Sequence, residues 1–128
     1  MAGSAAALGL LVGRRFTRVV VEGPSMLPAL APGERLLVLR SPVLQEGDIV
    51  AFLDPVAPER LLVKRVVRLE AATIEVAGDN PGASRDSRHF GPVPRRLVVG
   101  RAIYRYHPAQ AAGRLGPARA RRHSDQVR

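Results

Sequence analysis

The 128-residue sequence contains no cysteine. That excludes a disulfide framework and any thiolate zinc site. Its three histidines, His89, His107 and His123, are too widely spaced to point to a metal cluster, so neither metal nor cofactor is expected. Aromatic residues are scarce. Phe16, Phe52, Phe90, Tyr104 and Tyr106 are the full set, too few for an obvious base-stacking platform. Long apolar runs are lacking as well. Residues 2–13, "AGSAAALGLLVG", stop after 12 residues at Arg14-Arg15, short of the roughly 20 that a transmembrane helix needs. The same stretch lacks the basic start and cleavage site of a secretory signal. No internal repeat and no G-x-x-x-x-G-K loop is present, and Gly9 and Gly13 precede no dinucleotide motif.

The most telling shortage is lysine. Of the 20 cationic residues, 19 are arginine and one, Lys64, is lysine. Arginine stays protonated in proteins, whereas a desolvated lysine can give up its proton. Among those 20 residues Lys64 is therefore the one that can become a base. Against 11 acidic residues the net charge is +9, which would attract an acidic surface such as nucleic acid or anionic lipid.

The length fits one domain with a modest core. Strand-like runs occur at 16–22, 35–40, 48–53, 61–69, 73–77 and 96–106, separated by turn signals such as Pro32-Gly33, Glu46-Gly47-Asp48 and Gly78-Asp79-Asn80-Pro81. No long helical period is present, although Met26–Ala31 has room for one turn. Short strands at this spacing predict a mainly β fold, a small bent sheet or partly open barrel. Three segments follow: 1–15, a short apolar helix or anchor that is not a full span; 16–106, the folded domain; and 107–128, a basic tail with five arginines against Asp125, expected to be disordered.

Two residues stand out chemically. Ser25 follows Gly23-Pro24, where a β-branched run ends. Glycine allows close backbone approach and proline fixes φ, so the serine sits on a rigid turn at a strand end. A serine hydroxyl needs a neighbouring base to act as a nucleophile, and a neutral lysine serves. In "LLVKRVVRL" the two-residue period puts Leu62, Lys64 and Val66 on one face. Burial between them would disfavour the ammonium; Arg65 points to the other face. A third stretch, "GDNPGASRDSRHFGPV" at 78–93, gathers hydroxyls and carboxylates dense enough to hold a lysine amine in place.

Together these stretches resemble the signal peptidase I family of Ser-Lys endopeptidases. "GPSMLPAL" is similar to its nucleophile box, with Ala29 where threonine is usual; "LLVKRVV" resembles its general-base strand; "GDNPGASRDSRHFGPV" resembles its third box. The resemblance spans about residues 16–106, which it makes the catalytic domain. It implies Ser25 as nucleophile and Lys64 as general base. Ser84 would orient the Lys64 amine, Asp86 and Arg88 would pair beneath the site, and Asp79 would help fix the loop. The Ser25 N–H would be one oxyanion donor; where some members add a serine hydroxyl, this chain has Gly23. Val21, Met26, Leu30, Leu62 and Val63 match positions that line the substrate pockets.

Only 13 residues separate Lys64 from Gly78, so the large inserted domain of some members is absent. That feature and "GDNP-x-AS-x-DSR" are similar to the short nickel-type superoxide dismutase maturation proteases. The expected partner is a precursor protein with an amino-terminal leader, among them a nickel superoxide dismutase precursor. The alternatives are a short membrane-associated signal peptidase acting on secreted preproteins and a non-catalytic basic β domain binding nucleic acid, which the aromatic shortage disfavours. The arginines and the apolar start also allow contact with an anionic membrane surface. Localisation stays open between the bacterial cytoplasm and a peripheral place at the membrane.

Overall fold

The structure, a computed structural model, describes residues 15–41 and 43–118. Eight strands form one sheet: β1 (Phe16–Val20), β2 (Arg35–Leu39), β3 (Ile49–Leu53), β4 (Leu61–Leu69), β5 (Thr73–Ala77), β6 (Val93–Pro94), β7 (Val98–His107) and β8 (Gly113–Arg114). Their spatial order is β1-β2-β7-β3-β4-β5-β6, with β8 added to β7. Every pairing is antiparallel and the sheet does not close. The mainly β, bent-sheet expectation holds.

β3 explains why the sheet bends around itself. Its sequence "IVAFL" is continuously apolar, the signature of a strand covered on both faces. Ile49 and Ala51 enter one apolar cluster with Val19, Val21, Met26, Leu30, Leu36, Val38 and Ala102. Val50 and Phe52 enter a second, with Val66, Ile74, Val76 and Val93. A single strand thus supplies both cores, and the sheet must wrap so that neither face is wet.

All six strand-like runs of the sequence became strands; 61–69 and 73–77 keep their bounds, three lose one or two residues at an end, and the last is shifted to Val98–His107. The first stops at Val20 because Val21 already turns away, its N–H donating to Glu34 O and its carbonyl accepting from Gly33 N. The last begins at Val98 because Arg95–Leu97 forms a 3-10 turn. β6, β8 and one short helix, α1 (Ser87–Phe90), went unpredicted. Two-residue strands have no period to read. α1 exists through its cap: the Asp86 carboxylate accepts from Arg88 N (3.1 Å), and Asp86 N donates to His89 Nδ1 (3.2 Å).

The expectation of a disordered tail from residue 107 is corrected as far as residue 118. Residues 109–111 form a 3-10 turn, β8 pairs with β7, and Leu115 packs on the first cluster. Leu115 N donates to Ile103 O (3.0 Å), and Ala118 N to Gly47 O (3.2 Å). The segment has few apolar residues, but one leucine and a ladder on a long neighbouring strand are enough to order it. The rest of the tail and the apolar stretch 2–13 lie outside the described residues. Among the described residues no helix is long and apolar enough to cross a membrane.

Phe52 is fully buried and meets Phe90 edge-to-face at 6.2 Å between centroids. Phe52→Ala is expected to lower unfolding stability by about 3–5 kcal/mol. A denaturant midpoint that leaves the loss under about 1 kcal/mol would contradict a core shared through β3.

Candidate active site

Ser25 begins an irregular turn whose floor is apolar. Leu30 N donates to Met26 O (2.9 Å) and Leu27 N to Pro24 O (3.2 Å), closing irregular turns in place of the helical turn the sequence had room for. The Met26 and Leu30 side chains are buried in the first cluster and anchor the turn from below. Gly23 adopts φ +72°, a left-handed conformation that favours glycine. Ser25 itself is only partly buried. No backbone acceptor among the described residues takes its N–H.

Lys64 lies on β4 directly opposite Val50, and Leu62 opposite Phe52. Cross-strand partners share a face, so Lys64 emerges from the second apolar cluster, with Leu62 and Val66 on either side. Its residue surface is 5% exposed. Burial pushes the amine's pKa below the ordinary lysine value; the Asp86 carboxylate opposes this and the Arg85 cation adds to it.

Ser25 and Lys64 line one groove of about 610 Å³. Gly23, Val21, Met26, Leu62 and Val63 line it with them. Leu30, expected there too, is fully enclosed in the first apolar cluster instead. The groove runs between two open strand edges. Among the described residues β1 ends the sheet, and β5 pairs with β4 only from Arg65 onward, so none of them pairs with residues 61–64 on that side.

A polar layer supports this groove. Asp86 is fully buried and accepts from Gly78 N (3.1 Å), Ser84 Oγ (3.0 Å) and the Arg88 guanidinium, Nε at 2.9 Å and Nη2 at 3.2 Å. Burial alone would raise its pKa, but the hydrogen bonds from Arg88, Gly78 and Ser84 outweigh it and bring it to about 2. The Asp86–Arg88 pair is thus present. Ser84 gives its hydroxyl proton to Asp86, so its oxygen is oriented by that carboxylate. Arg65 holds both oxygens of Asp79, Nε–Oδ1 at 2.9 Å and Nη2–Oδ2 at 2.8 Å.

With this geometry in view, the comparisons decide the family. The model of the family described as signal peptidase, peptidase S26, matches residues 2–80 and 68–107. The chain belongs to the signal peptidase family, peptidase S26. This signal peptidase family member is 36% identical over 122 residues to the mitochondrial ATP-independent inner membrane protease subunit 1b of Arabidopsis thaliana, covering 74% of this chain and 72% of the relative. It is 36% identical over 124 residues to the mitochondrial inner membrane protease subunit 2 of Danio rerio, covering 77% and 68%. Subunit 1 of the Schizosaccharomyces pombe protease is 30% identical over 119 residues, covering 73% and 74%. The peptidase acts in signal-peptide removal, and its substrates are precursor proteins with leader sequences.

Two residues at the signal peptidase site went unassigned in the sequence reading. Asn80 N donates to Ser25 O (2.8 Å) and Asn80 Nδ2 to Pro24 O (3.1 Å), so its backbone holds one peptide unit beside the serine and its side chain the other. Its place in "GDN" was the signal available. Arg65, set aside as facing away from Lys64, does face away, and from there it holds Asp79 and the Gly47 carbonyl (2.7 Å).

Gly78 sits where three parts of the site meet. A Cβ there would overlap Ser84 and stand 2.7 Å from the Ser25 carbonyl oxygen. Gly78→Ala is therefore expected to cut leader-peptide cleavage about a hundredfold, the cost of a misplacement near 1 Å; wild-type turnover would refute the close approach. The folded Asp86 has its pKa at about 2, against 3.8 for the free group. Its contribution is fully present above about pH 4 and lost as pH falls toward about 2, roughly 2 kcal/mol in all. Acid unfolding of Asp86→Asn should lack that part of the pH dependence.

Proposed function

We propose that Ser25 is the nucleophile and Lys64 the general base of a Ser-Lys endopeptidase that removes amino-terminal leaders. The observation that carries this reading is the burial of the chain's single lysine on the groove that also holds its Pro-flanked serine. Burial lowers the amine's pKa and so favours its neutral form. Ser25 Oγ attacks the scissile carbonyl while Lys64 Nζ takes its proton. The oxyanion receives the Ser25 N–H; Gly23 brings no hydroxyl to it. The C–N bond then breaks, and Lys64 returns the proton to the departing amine. Water attacks the remaining ester, Lys64 takes its proton and hands it to Ser25 Oγ, and the leader leaves as a free acid.

The two open edges give the substrate its posture. An extended leader fits between β1 and residues 61–64, using their free backbone groups, and alternate side chains face the groove. Val21, Met26, Leu62 and Val63 would contact those nearest the scissile bond. Ser84 would steady the Lys64 amine through the lone pairs its bond to Asp86 leaves free.

For the precursor, the hairpin from β4 to β5 supports the short form of the family: residues 70–72 join the strands with no inserted domain. That favours a soluble precursor such as that of nickel superoxide dismutase. The second reading, preproteins handled at an anionic membrane, is favoured by relatives named as inner membrane proteases.

Mass-spectrometric mapping of both precursor types, with wild type and variants, tests both levels. Ser25→Ala and Lys64→Arg should each lose about a thousandfold or more in turnover. Retained cleavage by either variant removes the dyad. Wild-type rate should fall as pH drops through the lowered lysine pKa, because the base must be neutral. Cleavage of a detergent-held secretory preprotein alone would establish the membrane reading, and cleavage of the soluble precursor alone the maturation reading.

A further inference from the structure

The Ser25 turn is an irregular segment outside the sheet, so its backbone groups need partners from elsewhere. At its far end Arg105 provides them. Arg105 Nη1 donates to Ala29 O (2.9 Å) and to Glu34 Oε1 (3.0 Å), and the same Glu34 oxygen accepts from Ala31 N (2.7 Å). The two side chains are 21% and 11% exposed, so this ion pair is largely shielded from water and salt. Arg105 Nε is held in turn by Ala111 O (2.7 Å). A guanidinium is a rigid planar fork. Fixing one prong to residue 111 therefore fixes where the other can hold the turn.

The near end of the turn reaches the same segment by another route. Asn80 holds the Pro24 and Ser25 carbonyls, Arg65 holds Asp79 beside it, and Arg65 Nη1 donates to Gly47 O. That Gly47 carbonyl also accepts from Ala118 N. Between these anchors, β8 pairs Gly113 with Arg105 itself, and Leu115 packs on the core under the turn. The family match ends at residue 107, so this segment lies beyond it.

We propose that residues 108–118 form a strap that holds the Ser25 turn in its reactive position, with Arg105 as the positioning residue through which it acts. The proposal rests on Ser25 being the nucleophile. Arg105 touches no reacting atom. It sets the height and tilt of the turn over the groove, so its loss should slow the chemical step more than it weakens binding, since both groove edges stay in place.

The test uses the full chain and a leader-peptide substrate, comparing wild type, Arg105→Gln, Glu34→Gln and Ser25→Ala at a temperature well below every melting midpoint. Arg105→Gln is expected to lower kcat about ten- to a hundredfold with KM within about threefold. Glu34→Gln keeps the Arg105 bond to Ala29 and should lower kcat severalfold; it also carries the test if Arg105→Gln does not fold. Arg105→Lys keeps the charge but not the fork and should not restore kcat. Wild-type kcat in the Arg105 or Glu34 variant, with Ser25→Ala inactive, overturns the strap and leaves the nucleophile standing. Activity in Ser25→Ala overturns both. A fall in kcat matched by an equal rise in KM would mean a binding role and also overturn positioning.

Discussion

The structure depends on burying a lysine amine near a buried carboxylate that favours the amine's charged form. Asp86 alone would stabilise the ammonium of Lys64 and so oppose the base role proposed for it. The neighbourhood counters this. Arg88 and the Gly78 and Ser84 donors occupy the Asp86 oxygens, and a carboxylate engaged in that way projects less unbalanced charge. Arg85 adds a cation on the other side, held by the fully buried Asp54 (2.8 Å) and seated over the Phe90 ring at 5.4 Å. The loop after β5 is shaped by this balance, and α1 exists because the same carboxylate caps it.

The core is linked to that electrostatic layer through β3 and β4. Val50 and Phe52 face Lys64 and Leu62 across the ladder, so the apolar cluster that stabilises the fold is also what desolvates the amine. Phe52 touches Phe90, and Phe90 sits under Arg85. Packing and charge therefore meet in one place. The other cluster carries the serine turn on Met26 and Leu30. Because the sheet wraps around β3, the serine and lysine, carried by opposite cores, arrive on one groove.

Much of this was legible in the chain. The strands could be read because each alternates or runs apolar over at least five residues, enough for a period to register. The Ser25 turn could be read because Gly-Pro leaves the backbone few choices. Lys64 could be read because it is the one lysine among 19 arginines. The short pieces could not. β6, β8 and α1 span two to four residues, and each is held by a partner distant in sequence or by a cap. The ordered part of the tail was hidden for the same reason: its stability comes from β7, Leu115 and Gly47, not from its own composition.

The sequence by itself determined the mainly β fold, the family, and the serine and lysine that stand on the groove, because those are properties of local pattern and residue chemistry. Only the tertiary structure decided how they are held. That Arg65 grips Asp79, that Asn80 takes the two carbonyls flanking the serine hydroxyl, and that Arg105 reaches Ala29 across 76 residues of chain follow from strand order and register. Such contacts leave no local trace, since an arginine that clamps a turn and one that faces water look alike until the sheet brings their partners together.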